Sequence, residues 1–507
     1  MRFTSASLYS LRFRFGSAMS TAPGCVRLRL RRSKQLGGFA LKTYLEPARE
    51  TPIAYEPDVI ICGGGVTGCS AAIAAARCGA KVLLAERNGV LGGVATAGLM
   101  ANITNMFMTS RDVPVVKGIP KEIVERLVAE GGTRPNWHRA ELPGIVIDPE
   151  IFKLVLSEML MEAGVEILLH TITVGAIMED KRIRGVMFEN KSGRQAALAS
   201  NVIDATGDAD VVHFSGAPYH VDKADGSMEF RLANVDLDRA VDYFGEYRDT
   251  FPENMDYVRD YDSFRRNWYE YGFLFFPHGG GRKFGPWKEA VERGEYKIEC
   301  DGWYGLNAFG MYALRGDNTV VVNSNFHHVA GVDVREFTRV EIEARRMCHY
   351  AADFLRKHLP GFENAHVIAT AEDWGQRVTR YIMGRQTLTQ EEAKAGRKWD
   401  EVIGRAPFKE PDEPTYGFEI PYGIMVPKEI DGLLAPSGKM VSTQPRGMIR
   451  GMSFCMTLGQ AAGVAAALGS VNQVPAGDVP IHDIQRKLLE QGAYLGEPDR
   501  LHELGLV

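Results

Sequence analysis

The chain has 507 residues, of which 45% are hydrophobic and 24% are charged, as is typical of a soluble globular protein with room for two domains. Its formal net charge of −5 gives no electrostatic reason to expect binding to nucleic acid or an anionic membrane, and no apolar run approaches the ~20 residues of a membrane helix. The seven cysteines form no CxxC pair, which argues against zinc, iron–sulfur clusters and disulfides and favours a reducing compartment.

Residues 1–50 form a basic leader, because nine lysines and arginines precede the first acidic residue, Glu46. This composition resembles a transit peptide. Arg31 and Arg32 also suggest a twin-arginine export signal, although the apolar stretch that should follow is missing. A third interpretation takes Met19 as the true translation start. We expect a disordered, dispensable leader on a cytoplasmic protein, with organellar or exported targeting left open.

The stretch from Asp58 to Met100 predicts a dinucleotide site. Val59–Cys62 is an apolar, β-branched run typical of a buried parallel strand. The glycines that follow fit GxGxxG: they allow the tight turn, the approach of a pyrophosphate and close helix packing, and they are Gly63, Gly65 and Gly68. An alanine-rich helix comes next, and its N-terminus at Val66 and Thr67 would face the phosphates.

A second strand, Lys81–Ala85, ends at Glu86, where a carboxylate accepts ribose hydroxyls. The acid argues against a 2′-phosphate. Leu91–Gly98 is then a second small-residue loop, which suggests backbone lying against a flat ring system, although an ordinary loop is the plain alternative. These residues alone leave NAD and FAD both open.

Helices and strands alternate further along the chain. Lys121–Ala129 carries an apolar stripe, and Asp148 caps a helix that runs to about Met161. Glu166–Thr173 is strand-like, and Arg184–Glu189 opens a β-hairpin that turns at 191–193.

A further buried strand, Asn201–Asp204, runs into a small Ala-Thr-Gly turn. Such a turn beside the first one lets a ligand pass across both strand ends. Asp208, next in the chain, is a helix cap, a ligand for a cofactor hydroxyl, or both.

From about residue 218 to residue 419 the β-α-β alternation stops, and aromatic residues and arginines become frequent. An RNA-binding platform is one interpretation, but no basic excess or known module accompanies the aromatics. We therefore expect a cap domain that covers a flat cofactor and a small substrate. The aromatics include Phe230, Tyr243, Phe244, Tyr247, Trp268, Tyr269, Tyr271, Phe273, Phe275, Phe276, Trp287, Trp303 and Tyr304. Within the cap, 338–359 predicts a long helix and Thr389 begins a capping box.

The last informative stretch is a short strand and glycine turn at 430–439, followed by an alanine- and glycine-lined helix at 453–468. The start of this helix would be well placed to stabilise negative charge on a reduced flavin. A core helix without a ligand is the alternative.

These stretches together resemble the FAD-dependent oxidoreductases whose flavin domain is akin to that of fumarate reductase and succinate dehydrogenase flavoproteins. The resemblance covers nearly all of 45–468 and rests on GxGxxG with Glu86-Arg87, the LGGxATAG loop, 204–208 and Gly459–Gly463. It implies an α/β fold: a Rossmann-like FAD-binding domain, a parallel sheet with a β-hairpin insertion, into which an α+β cap is inserted. We expect the FAD-binding domain at 51–217 and 420–470, the cap at 218–419 and a C-terminal helical tail at 471–507.

The resemblance also implies cofactor contacts, which fall at the phosphates, the ribose, the adenine and the flavin ring. The positions are Gly63, Gly65, Val66, Thr67, Gly68, Glu86, Arg87, Gly93, Val94, Ala95, Thr96, Val174, Thr206, Gly207, Asp208, Gly438, Gly451 and Met452.

The chain departs from the family pattern in two places. The family's Arg-Glu-Ser-Arg-Arg pattern in the cap reads Arg377-Val378-Thr379-Arg380-Tyr381 here, which keeps two arginines and loses the acid, and Pro445-Arg446-Gly447 stands where relatives often have Ala-His-Gly. The latter puts a proton-relay role at that position in doubt. The context associated with covalent flavin in succinate dehydrogenases is also missing, so we expect non-covalent FAD and no metal.

Candidate catalytic residues are arginines, which pair with carboxylates in two hydrogen bonds, and a histidine pair, which can act as acid or base near neutral pH. They are Arg377, Arg380, Arg446, Arg450, His327 and His328. A structural ion pair or a solvated loop is the alternative role for each.

The sequence therefore predicts an oxidoreductase, in which hydride moves between flavin N5 and a small polar, possibly anionic substrate such as a hydroxy acid, sugar derivative or enoate. A non-catalytic flavin sensor and a flavin-dependent RNA-modifying enzyme are the alternatives. Expected partners are this substrate and an electron acceptor that the sequence does not identify, without nucleic acid or a membrane span.

Overall fold

The computed structural model describes residues 30–32, 42–104, 108–109, 111–139, 144–252, 259–277, 283–296, 309–329, 331–407 and 414–507. The chain divides into two compact units, Met1–Thr51 and Pro52–Val507. In the first unit, Leu30–Arg32 pairs with Lys42–Tyr44 in antiparallel fashion. Most of the predicted leader, and the predicted cap aromatics Trp303 and Tyr304, lie outside the described residues.

The described strands are numbered along the chain. They are β1 (Leu30–Arg32), β2 (Lys42–Tyr44), β3 (Ile53–Tyr55), β4 (Val59–Cys62), β5 (Val82–Ala85), β6 (Asn102–Thr104), β7 (Gly144–Val146), β8 (Glu166–Leu168), β9 (Ile172–Glu179), β10 (Arg182–Asn190), β11 (Gly193–Leu198), β12 (Asn201–Asp204), β13 (Tyr219–Val221), β14 (Ala224–Ala233), β15 (Phe273–Phe276), β16 (Gly310–Leu314), β17 (Thr319–Val329), β18 (His366–Thr370), β19 (Gly375–Gln376), β20 (Arg380–Ile382), β21 (Leu388–Thr389), β22 (Val402–Ala406), β23 (Phe418–Pro421), β24 (Leu433–Leu434) and β25 (Thr443–Gln444).

The described α-helices are numbered in the same way. They are α1 (Val66–Arg77), α2 (Ile119–Ala129), α3 (Pro149–Glu162), α4 (Asp210–Ser215), α5 (Leu237–Glu246), α6 (Tyr261–Arg266), α7 (Gly285–Glu292), α8 (Val334–His358), α9 (Gln390–Lys394), α10 (Met452–Asn472), α11 (Ile481–Glu490) and α12 (Pro498–Glu503).

A five-stranded parallel sheet carries the first domain, with strand order β24-β12-β4-β5-β8. The strands predicted at Val59–Cys62 and Asn201–Asp204 are present with those bounds and lie side by side. The strand predicted at Glu166–Thr173 is instead two strands, because the chain leaves the parallel sheet after Leu168 and β9 joins a second sheet of order β3-β11-β10-β9. This second sheet contains the predicted hairpin, β10 and β11. The Rossmann-like fold class is confirmed.

Helices α1 and α10 pack against each other with little separation. A Cβ at Gly459 would lie 2.2 Å from the carbonyl oxygen of Thr67, and one at Gly463 would lie 2.1 Å from that of Ala71. The two glycines, one turn apart on α10, therefore let its backbone approach the backbone of α1. Helix α1 begins at Val66 and α10 begins at Met452, and this contact brings the first turns of both helices to the same end of the sheet.

The expectation that no apolar run approaches the length of a membrane helix is wrong for α10, which is long and apolar enough to cross a membrane by length and composition alone. However, 83% of its most apolar window is buried inside the fold, as in a core helix.

The cap is built on an antiparallel sheet of order β15-β16-β17-β14-β18, with α8 packed on β14 and β17. Most of the described cap aromatics fill its own core, where Phe244 stacks on Phe276 at 4.7 Å and meets Trp287 edge-on. The prediction that the aromatic-rich stretch covers the ligand therefore holds for few of them. The reason is that a separate domain of this size needs its own apolar core.

The C-terminal segment is tied to the body of the protein by a buried ionic cluster. Arg405 of β22 and Arg500 of α12 both bind the carboxylate of Glu419, at 2.6 and 2.8 Å. Arg500 also donates to the carbonyl oxygen of Trp399 at 2.9 Å. A charge buried at this depth is tolerated because each partner has several hydrogen bonds.

We expect Gly463→Ala to destabilise the protein by about 1–3 kcal/mol, because the added methyl group collides with the Ala71 carbonyl. In an open helix the same change would stabilise the protein by up to about 1 kcal/mol, so the sign of the effect is diagnostic. Thermal unfolding measures it. Val471→Ala, on an exposed face of the same helix, is the control and should change stability by less than about 0.5 kcal/mol. A stabilised Gly463→Ala protein would contradict the packing.

Candidate functional site

A cavity of about 540 Å³ opens where the carboxyl ends of β4, β5 and β12 meet the cap. Its volume lies in the range of sites that bind small molecules and cofactors. It is lined by Gly63, Gly65, Val66, Thr67, Ala85, Glu86, Arg87, Asn88, Gly93, Val94, Gly98, Met100, Thr171, Ile172, Thr173, Ala205, Thr206, Gly207, Asp208, Asp210, Ser227, Glu229, Asn323, Gly331, Val332, Val334, Phe337, Asp373, Trp374, Gly375, Gln376, Arg377, Thr379, Arg380, Ser437, Lys439, Arg450, Met452 and Cys455.

The three glycines of the first loop have different roles. Gly63 has a φ of +106°, and a Cβ there would lie 2.4 Å from the carbonyl oxygen of Ala205. A Cβ at Gly68 would lie 1.9 Å from the carbonyl oxygen of Gly63, so Gly68 serves packing and is not part of the cavity lining. At Gly65 the nearest atom to a Cβ would be Gly93 Cα, 3.9 Å away. The backbone at Gly65 is therefore open toward the cavity at the start of α1.

Glu86 lines the cavity at the end of β5 and is held by backbone donors. One carboxylate oxygen accepts from Gly64 N at 2.6 Å and the other from Asn88 N at 2.7 Å. Burial raises the pKa of Glu86, and these two N–H groups oppose that rise. Because each carboxylate oxygen has more than one acceptor direction, the group can still accept a ligand hydroxyl.

The second glycine loop places some of its predicted residues in the cavity wall and others beneath it. Gly93 and Val94 line the cavity, while Ala95 and Thr96 are buried. Thr96 Oγ1 donates to the carbonyl oxygen of Leu91 at 2.6 Å, which fixes the loop from behind. Nearby, Arg87 pairs with Asp373 of the cap at 3.0 Å.

Asp208 is the centre of a polar network that joins three parts of the chain. Its Oδ1 accepts from Lys439 Nζ at 2.9 Å and from Thr379 Oγ1 at 2.8 Å. Burial alone would raise its pKa, but the Lys439 ammonium, the Thr379 hydroxyl and Arg87 together outweigh burial and hold the pKa of Asp208 below its ordinary value. Arg380 donates to the Asp208 carbonyl oxygen at 3.0 Å and pairs with Asp210 at 2.7 Å.

Three other predicted cofactor residues lie just behind the cavity wall. Val174 is on β9, where the preceding residues 171–173 line the cavity instead. A Cβ at Gly438 would lie 2.0 Å from the carbonyl oxygen of Ile449, so this glycine serves the turn. Gly451 precedes the first turn of α10, and its neighbours Arg450 and Met452 line the cavity.

The predicted catalytic residues divide into two groups. Arg377, Arg380 and Arg450 line the cavity, whereas the two histidines and Arg446 are not among its lining residues. His327 is 2% exposed on β17, and His328 is exposed and contacts Asp225 at 2.8 Å.

Arg446 contacts two residues that, like Arg446 itself, do not line the cavity. It forms an ion pair with Asp222 and lies over the ring of Tyr381, 4.0 Å from the centroid. These contacts match the alternative role that was considered for each arginine, which is a structural ion pair.

Several lining residues were not among those predicted from the sequence, notably Lys439, Glu229, Trp374 and Gln376. Glu229 could have been found, because 227–232 alternates between polar and apolar residues as a half-buried strand does. The other three follow turns and edges whose position depends on the tertiary fold.

We expect Lys439→Met to destabilise the protein by about 1–3 kcal/mol at pH 7, because it leaves the Asp208 carboxylate without its ammonium partner. The folded-state pKa of Asp208 is lowered, so the stability it contributes is present above the unfolded-state pKa and is lost as the pH falls. The difference between wild type and variant should therefore hold from about pH 7 down to about pH 4 and shrink from about pH 4 to about pH 3. Denaturant unfolding at about pH 7 and about pH 3 measures it.

Lys487→Met is the control, since Lys487 pairs with Glu490 at the surface and its loss should be neutral. A Lys439→Met penalty that is equal at both pH values would contradict the role of the ion pair.

Comparison with known proteins identifies the family. The model of the FAD dependent oxidoreductase family matches residues 58–488. Digeranylgeranylglycerophospholipid reductase 2 of Methanothermobacter thermautotrophicus is 28% identical over 44% of this chain and 55% of its own length. Thiamine thiazole synthase of Aeropyrum pernix is 32% identical over 26% of this chain and 43% of its own. The chain thus spans about half the length of these curated relatives or less.

Among solved structures, a geranylgeranyl bacteriochlorophyll reductase-like protein of Thermoplasma acidophilum is 13% identical with a TM-score of 0.41, over 89% of this chain and 90% of the other. The family match covers most of the chain and includes both glycine loops and α10. The chain belongs to the FAD-dependent oxidoreductase family, and its cofactor is FAD.

Proposed function

We propose that this FAD-dependent oxidoreductase acts on a small polar, possibly anionic substrate that binds between the cofactor loops and the cap. The observation that carries the proposal is the composition of the cavity. One wall consists of the glycine loops and Glu86, and the facing cap wall contributes Arg377 and Glu229. A substrate bound there would lie beside the cofactor and within reach of charged and acidic groups.

The residues present fit FAD. The open backbone at Gly65, the carboxylate of Glu86 and the first turn of α1 would hold the pyrophosphate and ribose. Gly93, Val94 and the first turn of α10 would face the flavin ring. When bound, FAD supplies hydride transfer at N5. We propose that it is held without a covalent bond.

The cap and the C-terminal turn supply recognition of negative charge. Arg377 and Arg450 line the cavity, and a guanidinium binds a carboxylate through two parallel hydrogen bonds. Arg380 is committed to Asp210 and the Asp208 backbone, so we assign it to positioning of the loop at Asp208. A hydroxy acid, a sugar acid or an enoate fits this arrangement. As part of the same proposal, we infer that the flavin domain of this chain is akin to that of fumarate reductase and succinate dehydrogenase flavoproteins.

A second candidate is the reduction of a carbon–carbon double bond in a larger apolar molecule. It is favoured by the rim of the cavity, where Val332 and Val334 are 41% and 75% exposed beside Phe337. The names of the relatives, which include digeranylgeranylglycerophospholipid reductases, agree with it. The electron acceptor or donor would in either case be a separate molecule.

We expect Glu86→Gln to weaken FAD binding by about tenfold or more. The amide replaces one acceptor by a donor that faces a backbone N–H, and hydrogen bonds to a charged group contribute about 1.5–3 kcal/mol. Fluorescence titration of FAD into the apoprotein measures the dissociation constant. Glu130→Gln, at an exposed position after α2, is the matched control and should bind FAD as wild type does. Unchanged affinity in Glu86→Gln would remove Glu86 from the site.

An anaerobic screen distinguishes the two candidate substrates. If the substrate is polar, hydroxy acids bleach the oxidised flavin absorbance or enoates restore that of the reduced flavin, and Arg377→Met reduces the rate at least about tenfold. If it is apolar, isoprenoid alkenes restore the absorbance and Val334→Glu, at the rim, lowers the rate instead. A preparation that binds FAD but reacts with neither class would contradict both.

A further inference from the structure

The cap wall of the cavity contains three buried polar atoms without a hydrogen-bond partner among the described residues. They are Glu229 Oε2, Trp374 Nε1 and Gln376 Oε1. All three residues line the cavity. A buried polar group without a partner is destabilising, so three in one cavity wall point to a ligand that supplies the partners.

The three residues are held together by the sheet. Strand β19 pairs with β14, placing Gln376 opposite Gly226 and Gly375 opposite Ser227. Glu229 lies two residues further along β14, on the same face as Ser227, while Met228 and Phe230 face the cap core. The other amide atom of Gln376 is fixed, because Nε2 donates to the carbonyl oxygens of Val329 and Val378 at 3.1 and 2.7 Å.

We propose that Glu229, Trp374 and Gln376 form the substrate subsite of the cavity, in which Glu229 Oε2 exchanges a proton with a carbonyl or hydroxyl oxygen of the substrate. This rests on the proposed function and specifies its substrate as a molecule with oxygen at the reacting centre. Trp374 Nε1 donates to a second oxygen, and Gln376 Oε1 accepts from a hydroxyl or N–H group.

The surroundings of Glu229 suit a neutral acid. Its Oε1 accepts from Asn323 Nδ2 at 2.9 Å, which leaves Oε2 to carry the proton. Burial raises the pKa of Glu229 well above its ordinary value, and Arg377, the charged group that acts on it, opposes that rise. Asn323, Trp374 and Met100, which pack nearby, carry no group that titrates in this range.

The proton transfer is balanced in either direction. During reduction the Oε2–H bond breaks and an O–H bond forms on the substrate oxygen, which has gained negative charge. The carboxylate that remains is stabilised by Asn323 Nδ2 and by Arg377 until it takes a proton from water. During oxidation Glu229 first releases its proton to water, and the resulting carboxylate accepts the hydroxyl proton of the substrate. No electron moves in this step.

The first test needs no turnover. In the FAD-loaded full chain at about pH 7, infrared difference spectra between wild type and Glu229→Gln should contain the C=O band of a protonated carboxylic acid in the wild type. Wild-type stability to denaturant should fall more steeply than that of Glu229→Gln as the pH rises above the ordinary glutamate pKa, because only the native wild type retains this proton. A carboxylate band in place of the acid band would overturn the role of Glu229.

The second test measures binding through the flavin absorbance, with pyruvate, lactate and crotonate as probes. We expect at least one of the two probes with oxygen on the reacting carbon, pyruvate or lactate, to bind wild type, and we expect Trp374→Phe and Glu229→Gln to weaken that binding about tenfold. Glu246→Gln, at an exposed position of α5, should leave it unchanged. Binding of crotonate alone, of no probe, or equally well in all variants would overturn the subsite.

The failure of this inference is distinct from failure of the proposed function. If Arg377→Met slows turnover but Glu229→Gln and Glu229→Asp keep both the rate and its pH profile, the proposed function stands and the subsite is wrong. If FAD binds and no polar substrate reacts, the proposed function fails, whatever the infrared band indicates.

Discussion

The close packing of α1 against its neighbours is the constraint on which the cofactor site depends. Gly68 lets the helix approach the Gly63 carbonyl, and Gly459 and Gly463 let α10 approach α1 from the other side. A side chain at any of these three glycines would collide with the neighbouring backbone and push α1 away from it. The first turns of α1 and α10 therefore lie at the same edge of the parallel sheet, and the cavity forms where they meet the cap.

The site itself is assembled from segments far apart in the chain. Asp208 from the first part of the FAD-binding domain, Thr379 from the cap and Lys439 from the C-terminal part meet in one network. Arg87 and Asp373 make a second bridge between the two domains. Buried or half-buried charges of this kind are stable only when their partners are in place, so the cap position and the shape of the cofactor pocket are linked.

The sequence predicted the first domain better than the cap. Strands β4, β5 and β12 and the Asp148 cap of α3 follow from local patterns, and the structure contains them. In the cap, local patterns predicted α8 and the Thr389 capping box. The sequence also predicted the cavity-lining glycines Gly63, Gly93 and Gly207, where φ is positive and glycine is favoured.

Local patterns failed where tertiary pairing decides the outcome. The two histidines look alike in sequence, yet the pairing of β17 with β14 buries His327 and leaves His328 at the surface. Lys439 and Gln376 gain their positions from a turn and an edge strand, which no periodicity reports. Likewise, the cap aromatics suggested a cover over the ligand, but most of them pack in the core of the cap itself.

Strand β14 has ten residues, and its two faces have different roles. Its apolar residues Met228, Phe230 and Leu232 pack in the cap core, and the alternate positions Ser227 and Glu229 line the cavity. Because the two sets lie on opposite faces of the strand, a substitution at Ser227 or Glu229 would change the cavity wall and leave the apolar face in place.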